Sequence, residues 1–415
     1  MNKIKILIIT HSMPFPLNTG GNQGQFHMTN HLRDLLDISM IFPLKKTQQL
    51  HYHNLKDLWK NVNFFPYFDI DKRIFIKKYL SKIRKYALNL LNSKDCNILR
   101  MNSALNTSSP KIFDSSFLEL VRKVIIENSF DLIQVEFYPF MPLIHVLPTS
   151  IKTIFVHHEI RFVRNERELE LIPDRTIQDE YLFLLYKSIE LATLKKYNAI
   201  ITVTENDREK LKTLLPEKEV FSSHLFIPKS TKALFDENFN FNKKFVFVGS
   251  GCHYPNLDGI QWFLSSFWNK IHEKNKDFEF HIIGNWKKNQ IAQYIKKYKN
   301  VYFDGYVNDL YDAISNCIMI IPLRIGSGMR MKIMDAINAK IPFVSTTVGI
   351  EGLDFKSGID CLVADGIEFA DAILEMATNV FLQQMVIKNA LHVSDVLYST
   401  EDLYLKRFKI YENLI

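Results

Sequence analysis

Short apolar runs alternate with longer segments of helical spacing along almost the whole chain, and this alternation limits the possible folds more than any other feature. The runs are apolar at nearly every position, which is typical of parallel strands that helices cover on both faces. Seven runs precede the middle of the chain and six follow it: KIKILIIT, ISMIFP, VNFFPYF, DLIQVEF, KTIFVHH, NAIITVT, VFSSHLFI, KFVFVGS, FEFHIIG, VYFDGY, CIMIIPL, PFVSTT and CLVAD.

A chain of 415 residues exceeds what one hydrophobic core usually serves, so the two sets of strands predict two domains. The polar stretch PKSTKALFDENFNFNKK separates them. We therefore predict an α/β fold with two doubly wound Rossmann-like domains, residues 1–228 and 229–395. The segment STEDLYLKRFKIYENLI predicts a last helix over about 396–415, either in the second domain or packed back on the first.

The composition favours a globular enzyme, with 47% apolar and 23% charged residues. No apolar stretch approaches the roughly 18 to 20 residues that cross a bilayer, so we expect a cytoplasmic protein. The four cysteines are scattered, with no spacing typical of zinc ligands or of a disulfide framework. The sequence therefore predicts no metal site.

Residues 71–86, DKRIFIKKYLSKIRKY, hold seven basic side chains against one acid, interleaved with apolar residues. Such a basic amphipathic helix can bind an anionic membrane surface, which would make the protein peripheral on the inner face of the membrane. The alternative is a surface helix whose lysines are simply solvated. Nucleic acid is not an expected partner, because no recognition motif accompanies the charge.

The segment RIGSGMRMKIMDA, residues 324–336, follows the predicted strand CIMIIPL and carries the clearest chemistry. Gly326, Ser327 and Gly328 allow a close approach of backbone to a ligand, and the free N–H groups of the following helix suit a phosphate. Arg330 and Lys332 add positive charge at that end. The alternative is an ordinary strand-to-helix turn followed by a solvated pair of basic residues.

A helix that starts at this turn would place Gly328, Lys332 and Asp335 on one face. Asp335 would then lie roughly 10 Å along the axis from the phosphate, within reach of sugar hydroxyls rather than of the phosphate itself. This spacing indicates a nucleoside diphosphate that lies along the helix, with its ribose at Asp335.

Several segments resemble the retaining glycosyltransferases of family 4, also called group 1, which have the GT-B fold of two Rossmann-like domains facing a central cleft. The stretch 301–353 carries the most specific likeness, and FVGSGCHYPNLDGIQWFL and FHIIGN resemble neighbouring parts of the same donor-binding half. In the first half the likeness is looser. It rests on PFPLNTGGNQGQ, FVHHE and IITVTENDREKL.

The resemblance implies a site between the two domains. Arg330 and Lys332 would neutralise the diphosphate, Asp335 would hold the ribose, and His158, rather than His157, would line the sugar pocket. The predicted donor-binding residues also include Gly20, Gly21, Gly249, Ser250, Gly326, Ser327, Gly328 and Met329.

The sequence departs from the family pattern at three positions. The family commonly has a Glu-x7-Glu pair, where this chain has Ser327 and Asp335. Many members have an arginine after the VG dipeptide, where this chain has Ser250 followed by Gly251. Neutralisation of the diphosphate charge would therefore depend mainly on Arg330 and Lys332.

The expected function is retaining transfer of a sugar from a nucleotide donor such as a UDP-sugar to a glycan or lipid-linked acceptor in bacterial-type surface polysaccharide synthesis. Neither a cofactor nor a metal ion is expected, and the oligomeric state stays open. The alternative is a non-catalytic subunit that keeps the fold to bind a nucleotide sugar.

A nicotinamide-dependent enzyme is disfavoured, because its GxGxxG motif would directly follow the first strand, whereas the first glycines of this chain follow a loop. The DxD sequence at Asp69 and Asp71 is a weak motif.

Overall fold

The computed structural model describes residues 3–68, 108–226, 228, 239–399 and 401–415. The basic segment 71–86 and the DxD sequence at 69–71 therefore lie outside the described residues, as does most of the predicted domain connector. Among the described residues, no helix is long and apolar enough to span a membrane.

The strands form two parallel sheets, and each of the thirteen predicted apolar runs overlaps one strand. The first sheet has the order β3-β2-β1-β4-β5-β6-β7 and the second β10-β9-β8-β11-β12-β13. The bounds are β1 Lys5–Ile9, β2 Asp37–Leu44, β3 Val62–Phe68, β4 Leu132–Glu136, β5 Lys152–His157, β6 Ala199–Thr202, β7 Glu219–Ser222, β8 Lys244–Val248, β9 Glu279–Ile283, β10 Val301–Gly305, β11 Ile318–Ile321, β12 Phe343–Ser345 and β13 Leu362–Val363.

Helices follow most of the strands, as right-handed parallel crossovers require. In the described residues they are α1 Gly20–Leu32, α2 Gln49–Leu58, α3 Ser115–Glu127, α4 Arg161–Glu170, α5 Ile177–Leu194, α6 Glu205–Leu214, α7 Tyr254–Phe263, α8 Asn269–Lys274, α9 Lys288–Lys297, α10 Leu310–Ala313, α11 Met331–Asn338, α12 Thr347–Ile350, α13 Glu368–Thr378, α14 Val380–Leu397 and α15 Asp402–Leu414.

Each sheet has its own apolar core, because the strands are buried along nearly their whole length. Every residue of β4 and of β11 is buried, for example. One core encloses the second sheet, and two further cores lie on the two faces of the first. The predicted α/β fold with two doubly wound domains is therefore confirmed.

The last helix begins at Asp402, several residues later than predicted, because α14 extends to Leu397. Its Leu403, Ile410 and Tyr411 join the core of the first domain that contains α1. The chain therefore returns from the second domain to the first at its end.

Candidate active site

Each sheet has a topological switch point, at which the strands that follow two adjacent strands in sequence lie on opposite sides of that pair. In the first sheet this point lies between β1 and β4, and in the second between β8 and β11. Ligands of open α/β sheets bind outside the carboxyl ends of the strands at such points. The loops that leave these four strands therefore form the candidate site.

The amino ends of α1 and α11 meet across the two domains. Thr19 caps α1 by accepting a hydrogen bond from the backbone N–H of Asn22 at 3.2 Å. A Cβ atom added to Gly20 would lie 2.6 Å from the side chain of Met331, the first residue of α11. Two helix ends with a partial positive charge thus face each other, an arrangement that attracts an anion.

The glycine loop, residues 326–329, keeps α11 from beginning as early as the sequence predicted. Gly326 and Gly328 have φ values of +142° and +77°, which a helix cannot contain. Helix α11 therefore begins at Met331, so only Lys332 and Asp335 of the predicted face lie on it. Asp335 is about 6 Å along the axis from the start of the helix, less than expected.

Arg330 is buried and turned into its own loop. Its Nη1 donates to the carbonyl oxygens of Ser327 and Gly328, the latter at 2.8 Å. Burial lowers the pKa of Arg330, while its Nε has no hydrogen-bond partner among the described residues. In this arrangement Arg330 fixes the shape of the loop and adds positive potential behind it.

The first domain also binds the glycine loop. The Ser327 hydroxyl accepts from the Ile160 N–H at 2.6 Å, and the Gly328 N–H donates to Asp207 at 2.9 Å. Arg167 donates to the Gly326 carbonyl and pairs with Glu351 through two hydrogen bonds of 2.6 and 2.7 Å. The Gly328 N–H is therefore already occupied, and the N–H groups at the start of α11 remain the candidate phosphate donors.

Asp335 is buried, and Lys332 beside it on α11 is half-buried. Lys332 lies 5.3 Å from the ring centre of Phe247, and its Nζ donates to the Asn256 side chain at 3.3 Å. Burial lowers the pKa of Lys332 to about 8. Burial also raises the pKa of Asp335 to about 7, and no hydrogen bond reaches this carboxylate from the described residues. The pair thus offers a cation and an unsatisfied acceptor along one helix.

The loop after β8 holds Lys332 in place through Asn256. The Asn256 Nδ2 donates to the Ser250 carbonyl at 3.0 Å, and the Ser250 hydroxyl donates to the Asn285 carbonyl at 3.0 Å. A Cβ atom on Gly249 would lie 2.6 Å from the Asn256 side chain. Gly249 and Ser250, both predicted to bind donor, therefore lie beside the predicted lysine.

His158 follows β5 and faces the glycine loop. A Cβ atom on Gly328 would lie only 2.0 Å from the His158 carbonyl oxygen. The His158 ring stacks on Phe137 with centres 3.9 Å apart, and its Nε2 bonds to Glu136 at 2.8 Å. Gly21, whose added Cβ would lie 3.1 Å from Phe137, is close to the same cluster.

His157 lies on the opposite side of the strand. It is fully buried, and its Nε2 bonds to Glu190 at 2.8 Å. Glu190 also accepts from the N–H groups of Arg161 and Phe162, so it caps the start of α4. The buried His157 thus contributes to the packing of the first domain.

Several residues of this site escaped the sequence analysis. Asn256, Asp207, Arg167 and Phe137 each hold a predicted site residue or its loop, but their partners are distant in sequence. Phe137 alone carries a backbone signal, a φ of +68° that residues other than glycine rarely adopt. Such strain collects at functional sites and is invisible in the sequence.

A family model described as "Glycosyl transferases group 1" matches residues 242–379. A Klebsiella pneumoniae protein described as "Uncharacterized 44.6 kDa protein in cps region" is 28% identical to this chain over 180 residues, which cover 40% of the chain. The aligned part spans 46% of that protein, less than half of its length. The resemblance of the second domain to group 1 glycosyltransferases is therefore confirmed.

Solved structures share the fold of the whole chain. A variant of S. aureus TarM in complex with Fondaparinux, alpha-GlcNAc-glycerol and UDP has a TM-score of 0.68 at 13% identity, covering 98% of this chain and 99% of that one. HepE of Anabaena, in complex with UDP and glucose, has a TM-score of 0.64 at 11% identity, covering 99% and 100%. At such identities the likeness shows the GT-B fold.

Proposed function

We propose that this protein, whose residues 242–379 match the family model of the group 1 glycosyltransferases, transfers a sugar from a nucleoside diphosphate donor with retention of configuration and without a metal ion. The expected acceptor is a glycan or a lipid-linked glycan of surface polysaccharide synthesis. The relative from a cps region and the glycan and UDP ligands of the solved structures support this proposal.

One observation carries the proposal: the amino ends of α1 and α11 converge beside the half-buried Lys332. Departure of a diphosphate develops negative charge, and fixed N–H groups and a desolvated cation stabilise that charge without reorganising. A low local dielectric strengthens each of these contacts. The leaving group is therefore the part of the reaction that the site is best suited to stabilise.

The acceptor is expected to enter from the first domain, on the side of His158. Attack on the same face from which the diphosphate departs would retain the configuration, with a phosphate oxygen taking the proton of the acceptor. This route needs no protein nucleophile. Glu159 lies near His158, but Arg164 binds it at 3.0 Å, so we assign Glu159 a structural role.

A thermal-shift screen of UDP-, GDP-, ADP- and CMP-sugars tests the proposal. One donor class is expected to raise the melting temperature by several degrees, because a ligand that binds only the native state stabilises it. That donor is then incubated with candidate glycan acceptors. Absence of a shift from every donor would contradict the proposal.

Chelation is expected to leave activity unchanged. The Lys332 ammonium and the N–H groups at the start of α11 can stabilise the charge of a departing diphosphate, which is the task a metal ion would otherwise perform. We therefore expect the same initial rate with excess EDTA as with added Mg²⁺ or Mn²⁺. A rate that falls with EDTA and returns with one of these ions would overturn the metal-independent part of the proposal.

Affinity for the nucleoside diphosphate is expected to peak between about pH 7 and pH 8. Burial raises the pKa of Asp335 to about 7, so below this pH the carboxyl gains a proton and accepts ribose hydrogen bonds less well. Burial lowers the pKa of Lys332 to about 8, so above this pH the ammonium loses the charge that attracts phosphate. Calorimetric titration across this range checks both limbs. Asp335→Asn should lose only the acid limb, and an unchanged acid limb in this variant would contradict the assignment.

A further inference from the structure

A chain of buried hydrogen bonds connects the last helix of the protein to His158. Tyr411 of α15 donates its hydroxyl to the Gln134 Oε1 at 2.6 Å. The Gln134 Nε2 donates to one oxygen of Glu136 at 2.6 Å, and the other oxygen accepts from the His158 Nε2 at 2.8 Å. Tyr411, Gln134 and Glu136 are all less than 5% exposed.

The donors and acceptors of this chain allow one direction. A tyrosine hydroxyl can donate or accept, so the direction is set at Glu136, whose ionised carboxylate only accepts. The Gln134 NH₂ must therefore point to Glu136, and the Gln134 Oε1 is left to accept from Tyr411. Burial alone would raise the pKa of Glu136, but the hydrogen bond from His158 and nearby positive charge, including that of Arg407, outweigh burial and hold this pKa below its usual range. An ionised Glu136 requires the proton on the His158 Nε2. In the neutral ring the His158 Nδ1, which has no hydrogen-bond partner among the described residues, is then the acceptor.

This arrangement is costly as a mere packing solution. Buried polar chains stabilise a fold no better than apolar residues of the same volume, and they are useful where a group must be oriented. At the His158 end of this hydrogen-bond chain, Phe137 has a strained φ of +68°. Its ring lies parallel to that of His158, with an interplanar angle of 7°. The ring of His158 is thus fixed on its face by Phe137 and on its edge by Glu136.

We propose that Tyr411 is a positioning residue for His158, acting through Gln134 and Glu136 to fix its ring orientation and its Nε2–H tautomer. The inference rests on the proposed function, in which His158 lines the sugar pocket. It gives the returning helix α15 a part in the reaction. Arg407, also on α15, donates from its Nε to the Ser223 hydroxyl at 2.9 Å and so holds α15 against the first domain.

Tyr411→Phe tests the inference, because it removes the hydroxyl and keeps the ring. We expect kcat to fall about tenfold, the effect of one hydrogen bond to a charged network, while the KM for the donor stays within about twofold. Tyr197→Phe is the matched control. Its buried hydroxyl, also in the first domain, donates to the Met141 carbonyl at 2.7 Å, so its loss should lower the melting temperature similarly and leave kcat unchanged.

A double-mutant cycle separates positioning from general stability. In a His158→Ala background, Tyr411→Phe should lower kcat no further, because the group on which it acts is missing. Equal losses in both backgrounds, or an unchanged kcat in the single variant, would overturn the inference. If His158→Ala itself leaves kcat unchanged, the role of His158 in the proposed function fails instead.

A spectroscopic readout decides the inference even if transfer is not detected. In protein with ¹⁵N-labelled histidine, assigned by comparison with His158→Gln, the His158 nitrogens should show the Nε2–H tautomer. Tyr411→Phe is expected to shift these signals, and Tyr197→Phe is not. Identical signals in wild type and Tyr411→Phe would contradict the positioning role.

Discussion

Gly328→Ala is expected to lower kcat/KM by at least about a hundredfold, because misplacing catalytic groups by about 1 Å costs that much. The new Cβ would lie 2.0 Å from the His158 carbonyl oxygen, a backbone atom that cannot rotate away. The loop must therefore withdraw from the first domain. This movement breaks the hydrogen bonds of Ser327 to Ile160 and of Gly328 to Asp207. Steady-state kinetics with the donor from the thermal-shift screen checks the result.

Gly358→Ala is the matched control for this variant. Gly358 has a φ of +76°, nearly the same as Gly328, but nothing lies within 4 Å of its added Cβ. Both variants should lose about 1 to 2 kcal/mol of unfolding free energy from the left-handed backbone. Only Gly328→Ala should lose activity. Equal activity of the two variants would show that the contact between the glycine loop and His158 is not needed for transfer.

Lys332→Ala is expected to lower kcat/KM by at least about a hundredfold, since one transition-state charge contact is worth ~3 kcal/mol. The Lys332 ammonium lies on α11 one residue after its start and is desolvated, so its attraction for a departing diphosphate is strong. Asn256 holds it at 3.3 Å and gives it a defined direction. Initial rates at saturating and limiting donor separate its effects on kcat and on KM.

Lys296→Ala controls for the loss of one positive charge from the same domain. Lys296 is exposed on α9, and its removal should leave both kinetic constants unchanged. If Lys332→Ala retains more than about a tenth of the wild-type kcat/KM, the lysine does not stabilise the leaving group. A loss confined to KM would limit Lys332 to ground-state binding of the donor.

The sequence was sufficient to predict the strands and the loops that the structure brings together at the candidate site. Apolar runs such as CIMIIPL can only be buried parallel strands in this context, and their order along the chain restricts the topology to a few possibilities. The glycines after β1 and β11 predicted loops that approach a ligand. In the structure, the amino end of α1 at Gly20 and that of α11 at Met331 do meet.

The sequence could not give the details that depend on the contact between the domains. Helix α11 begins at Met331, later than predicted, because Gly326 and Gly328 adopt positive φ and Arg330 donates to the loop that contains them. The partner of the Gly328 N–H is Asp207, 121 residues earlier, and no local pattern reports such a pair. The link from Tyr411 to Gln134 spans 277 residues and is likewise absent from any motif.

The central claim is that a nucleoside diphosphate binds where the amino ends of α1 and α11 meet. A crystal structure of the protein with the nucleoside diphosphate of the preferred donor tests it most directly. The account predicts phosphate oxygens within hydrogen-bond distance of the Lys332 ammonium and of the first N–H groups of α11, with the ribose hydroxyls at Asp335. A diphosphate bound elsewhere, with protein side chains filling this junction, would contradict it.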